Sequence, residues 1–236
     1  MSHEVLNLKQ AAEHVHLEMN ELKHIAQRGE LAAVERGGDW YFEHRALDEW
    51  AQRNLLASSE RELKAQHRVM MDEHRRGNVT GWGVSDLFTV ASVDLALPSR
   101  TKGGVVRDMT DLAVKSGFVY DEEGLFAELT AREAAASTAI GESVALLHPR
   151  FHDPYLFEET FIAYGRSPRP IFFGAPDGEG TRHFFLVCCT DHEAHLHILA
   201  RLAMLAHGTD LMERLDAAQD AGEIPGIVAG CEEAFR

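Results

Sequence analysis

Apolar residues recur at helical spacing in two short segments near the start of the chain. Leu8, Ala11, Ala12 and Val15 share one face, and Met19, Leu22, Ile25 and Ala26 repeat the pattern until Gly29 stops it. Two strand-like triplets follow, Ala32-Ala33-Val34 and Trp40-Tyr41-Phe42. They are joined across Glu35-Arg36-Gly37-Gly38-Asp39, a hairpin with the glycines a tight turn needs. A third helix over 45–53 turns Ala46, Leu47, Trp50 and Ala51 inward.

From Leu55 the pattern becomes polar and ends in Gly77, Gly81 and Gly83. A helical linker up to about His74, followed by a loop, is expected. Leu56, Leu63 and Met70 recur every seven residues, while Ser59, Gln66 and Glu73 between them are polar. The segment is therefore either a solvated connector helix or a short homodimer seam.

Beyond Val84, apolar runs alternate with helix-period segments, the signature of an α/β domain. Helices are expected over 100–117, 124–136 and 193–206, the last strongly amphipathic, with two short ones over 211–218 and 224–235. Ser137 to His148 runs through a turn into a strand-like stretch that ends at the histidine, and further apolar runs are Thr160 to Tyr164, Ile171 to Phe173 and His183 to Cys189. The expected division is 1–54, a linker at 55–83, and a domain at 84–236.

Composition narrows the classes. The longest apolar run falls short of the eighteen or so residues that span a bilayer, and the N-terminus lacks a basic-then-apolar leader pattern. Cys188 and Cys189 are adjacent in an apolar run, which suits reduced thiols, so a cytoplasmic setting without membrane contact is expected. A net charge of −15 disfavours coating nucleic acid and suits a basic protein partner. The chain has 14 histidines, but His192 and His195 share a helical face that His197 does not, and His14 with His16 make only a pair. No metal or other cofactor is expected. His152, His183, His197 and His207 read as surface or hydrogen-bonded residues.

The pattern LKQAAEHV … RGEL … GGDWYF … ALDEW over residues 5–53 resembles the excisionase/MerR-type winged helix-turn-helix. That resemblance implies a second helix for the DNA major groove. The helix here opens Glu18-Met19-Asn20-Glu21, and residues 1–54 carry six bases against ten acids. The module therefore either contacts DNA or is a scaffold reused for protein binding or dimerisation.

A second resemblance rests on LTAREAAASTAIGESVALLH and on the helix AHLHILARL. Type-2 IIA domains of the phosphotransferase system, the mannitol–fructose class, read approximately RE-x-x-x-S-T-x-I-G-x-G-[IV]-A-[ILV]-P-H. This chain is similar at Arg132, Glu133, Ser137, Thr138, Ile140, Gly141, Val144, Ala145 and His148, with the nitrogen-regulatory branch nearest. The resemblance implies a mixed central sheet flanked by helices and phosphorylation of His148 by an HPr-like phosphocarrier. It also implies supporting roles for His195, Arg132 and Thr138. Imidazole suits such a carrier because it is unprotonated yet readily recharged near neutrality. Leu147 and Ser143 replace the family's proline and glycine, which leaves three outcomes open: a carrier, a regulator that senses through a IIA-like domain, or a scaffold without phosphoryl transfer.

Overall fold

The computed structural model describes residues 5–15, 17–57, 83–150, 156–190 and 192–233. The chain divides into two compact units, residues 1–77 and 78–236.

In the first unit, strand β1 (Val5–Asn7) leads into α1 (Leu8–His14) and α2 (Met19–Gln27). The strands β2 (Ala33–Arg36) and β3 (Asp39–Glu43) and the helix α3 (His44–Ala57) follow. Asn7 and Gln10 form a reciprocal capping box that starts α1. Gly37 and Gly38 both take positive φ, as a two-residue hairpin turn between paired Arg36 and Asp39 requires. β1 adds to β3, giving an antiparallel sheet in the order β1-β3-β2. Ala11, Leu22, Phe42 and Leu47 have no exposed surface and form the small core. The proposed connector residues Leu63 and Met70 lie outside the described residues.

The second unit is built on a five-stranded mixed sheet, in the order β4-β7-β8-β6-β5. Its strands are β4 (Phe88–Asp94), β5 (Ala139–Gly141), β6 (Val144–Leu147), β7 (Phe161–Ile171) and β8 (Thr181–Cys188). β4–β7 and β6–β8 are parallel; β7–β8 and β5–β6 are antiparallel. The helices are α4 (Lys102–Lys115), α5 (Glu122–Ala135), α6 (His192–Gly208), α7 (Leu211–Ala217) and α8 (Glu223–Glu232). Thr101 and Asp121 cap α4 and α5 through the backbone N–H groups of Gly104 and Gly124. Val105, Met109 and Leu112 of α4 and Leu125 and Leu129 of α5 join Ala145, Leu147, Ala163, Phe184 and Leu186 in one core. Gly165 makes this contact possible, since a Cβ there would stand 2.6 Å from the Met109 sulfur. Among the described residues no helix is long and apolar enough to cross a membrane.

Three expectations change. The run ending at Tyr164 belongs to β7, which continues to Ile171 and leaves Phe172 and Phe173 beyond its end, and Pro168 and Pro170 fall where the pairing with β8 breaks between Arg166 and Ile171. A proline is tolerated there because no ladder N–H is needed. Helix α6 is buried along 194–206 rather than amphipathic, and His197 is buried with it. The polar residue Arg201 is accommodated by an ion pair with Glu232 at 3.3 Å, whose carboxylate also accepts the Val84 N–H at 2.9 Å. β1 and β4 were not anticipated as strands.

Candidate functional site

The hairpin β5–β6 delivers His148. Glu142 and Ser143, at φ 49° and 64°, form its two-residue turn, and Gly141 before them is at φ 89°. Such a turn favours glycine or asparagine. Ser143 holds its place through its hydroxyl, which accepts the Arg182 N–H at 3.1 Å and donates to the Gly180 carbonyl at 3.2 Å. β6 then runs in register with β8, Leu147 opposite Leu186, and His148 is the next residue.

The imidazole of His148 is fixed at both nitrogens. Nδ1 lies 2.8 Å from the Leu146 carbonyl, and Nε2 lies 2.9 Å from Nε of Arg132. A guanidinium only donates, so Nε2 must be the acceptor. The ring is therefore neutral, with its proton on Nδ1 given to Leu146 and its lone pair on Nε2. Leu146 is itself pinned, because its N–H bonds the Thr138 carbonyl at 3.0 Å.

Arg132 comes from the last turn of α5, and its second nitrogen donates to the Ala136 carbonyl at 2.8 Å, which ties it to the end of that helix. His195 comes from the start of α6, and its ring centroid lies 5.0 Å from that of His148 in an edge-to-face arrangement. Two imidazoles 47 residues apart thus meet beside one guanidinium. All three residues are buried, and both rings have no exposed surface.

Thr138 is placed differently from its expected role. Its hydroxyl donates to Glu133 Oε2 at 2.6 Å, and its backbone N–H also bonds that carboxylate. Its side chain therefore secures the neighbour of Arg132, while its carbonyl orders the strand that carries His148.

Sequence reasoning gave Glu133 no role and missed Lys102. The two form an ion pair at 2.7 Å, and Lys102 also donates to the Phe173 carbonyl at 3.0 Å. Ser137 donates to the same carbonyl at 2.8 Å. The signal available was Glu133 itself, a carboxylate next to a matched arginine in a helix last turn, where cations are normally favoured.

Similar proteins share this part of the chain. A nitrogen regulatory protein of Bradyrhizobium diazoefficiens is 31% identical over 150 residues, which cover 62% of this chain and 94% of that protein. The fructose-specific EIIABC component of Bacillus subtilis is 26% identical over 147 residues, 61% of this chain but only 23% of that longer protein. The crystal structure of nitrogen regulatory protein IIA-Ntr from Neisseria meningitidis superposes with a TM-score of 0.56 at 22% identity, covering 61% of this chain and 98% of that one. This last likeness establishes the fold. The model of the family described as phosphoenolpyruvate-dependent sugar phosphotransferase system, EIIA 2, matches residues 86–229, and with more than half of its length so matched the chain belongs to that family.

Proposed function

We propose that the second unit takes up a phosphoryl group on Nε2 of His148 from an HPr-like phosphocarrier, and that this changes which regulatory protein it binds. The observation that carries the reading is the fixed ring. Its Nδ1 proton is held by Leu146, and its lone pair on Nε2 faces a guanidinium. In the transfer, that lone pair forms the new N–P bond while the P–N bond of the donor breaks and its electron pair returns to the donor imidazole. Arg132 then donates to phosphoryl oxygens instead of to the ring, and His195 stands beside the same charge. The nitrogen-regulatory role is supported by the likeness to the Bradyrhizobium protein across nearly all of that protein.

His148 has no exposed surface, so a donor must first uncover it. That burial also favours a second reading, a binding scaffold without transfer. Incubating the full chain with a phosphocarrier relay and labelled phosphoenolpyruvate separates the two. The first reading expects label on wild type and none on His148→Ala; unlabelled wild type supports the scaffold.

The first unit is read as a winged-helix module. Its excess of acids, ten against six bases in residues 1–54, supports a protein partner over duplex DNA. Salt-dependent retention of a duplex by the full chain would reverse that reading.

A further inference from the structure

The first unit holds a cluster that the phosphoryl reading does not use. His14 ends α1, and His44 and Asp48 stand one turn apart on the first turns of α3. His14 Nε2 lies 2.7 Å from Asp48 Oδ1, and His44 Nδ1 lies 3.5 Å from Asp48 Oδ2. The two imidazole centroids are 4.5 Å apart, with their planes tilted by 47°. One ligand atom from each of the three residues falls within 4.8 Å of the other two.

We propose that His14, His44 and Asp48 bind one divalent transition-metal ion of the zinc type, with the fourth position left to water or a ligand. Ligand bonds of about 2.0–2.2 Å in a tetrahedron place donor atoms roughly 3.3 Å apart. The observed separations bracket that value, so side-chain shifts on the order of 1 Å close the site. Two neutral imidazoles and one carboxylate are a donor set that suits zinc and its neighbours and leaves a coordination position open.

The alternative is a plain staple, with His14 donating to Asp48 and holding α1 to α3. A staple needs one histidine. A second ring converging on the same carboxylate is unnecessary for it. A bound ion uses both ring lone pairs and the carboxylate together. The side chains of His14, His44 and Asp48 are 16%, 33% and 10% exposed, which keeps the site partly dry yet open to an entering ion.

The test uses the full chain stripped with a chelator and titrated with Zn²⁺ against a competing chromophoric chelator. One equivalent is expected, weakened at least about tenfold by His44→Ala or Asp48→Asn and unchanged by His24→Ala. Wild-type protein supplies a second readout that needs no variant: Zn²⁺ should shift the ring NMR signals of His14 and His44, and Co²⁺ should give visible bands of tetrahedral intensity. Absence of stoichiometric binding, binding insensitive to both substitutions, or ring shifts confined to other histidines would overturn the proposal.

Discussion

The Nε–H of Arg132 points at Nε2 of His148 across 2.9 Å, and the opposite ring nitrogen is held by Leu146 at 2.8 Å. The guanidinium therefore occupies the place where an incoming phosphoryl group would bond. It orients the ring, and under the proposed transfer the same donors, once displaced from the lone pair, would turn to the phosphoryl oxygens.

Replacing Arg132 with alanine should slow phosphoryl uptake by about 10²–10³-fold, the usual effect of losing one donor to developing negative charge. Lysine keeps the charge but lacks the planar fork, so Arg132→Lys should recover only part of the rate. Rapid-quench measurement with a phosphorylated carrier checks both. Full activity in the alanine variant would show that the arginine only fills space.

Ser143 sits at φ 64°, yet its hydroxyl bonds Arg182 and Gly180. Ser143→Ala keeps the strained backbone and loses those bonds, so it should cost about 1–2 kcal/mol. Ser143→Gly loses the bonds too but relieves roughly 1 kcal/mol of strain, so it should lie closer to wild type. Urea unfolding of the three proteins gives the order, and a glycine variant less stable than the alanine one would refute this explanation of the turn.

His183 gives a pH prediction. Burial pushes its pKa down to about 4, outweighing the attraction of Asp216. The folded ring stays neutral, with Nδ1 2.8 Å from the Tyr164 hydroxyl, while burial pushes the Tyr164 phenol up so that it keeps its proton. Because the folded pKa lies below the ordinary value of 6.5, the unfolded chain binds more protons as pH falls. This contribution to stability is fully present above about pH 6.5 and is lost as pH falls towards 4. Between pH 7 and pH 5 the loss should be about 2 kcal/mol, and His183→Gln should remove that part of the slope. Equal slopes in variant and wild type would contradict it.

The central helices, the glycine hairpin and the strand ending at His148 were readable because each has a clear apolar period and a turn or stop signal beside it. β4 was not readable. It is an edge strand in which Thr89, Ser92 and Asp94 interrupt the apolar run. β7 was split because its prolines look like a break, and only the register with β8 shows that they fall in an unpaired stretch. At the site, the first family motif gave His148 and Arg132, and the second, on the AHLHILARL helix, gave His195. The turn of the Thr138 hydroxyl towards Glu133 depends on how α5 meets β5, which no local pattern encodes. The His14–His44–Asp48 cluster was hidden similarly: sequence proximity paired His14 with His16, whereas packing of α1 on α3 brings in residues some thirty positions away.

The most direct test is the attachment site of the phosphoryl group, read by NMR of the ¹⁵N-labelled imidazole and ³¹P in protein charged by a phosphocarrier relay. A phosphorus bonded to Nε2 of His148, with Nδ1 still protonated, is the expected result. Attachment at Nδ1, or at another histidine, or no attachment in folded protein with an active relay, would contradict it.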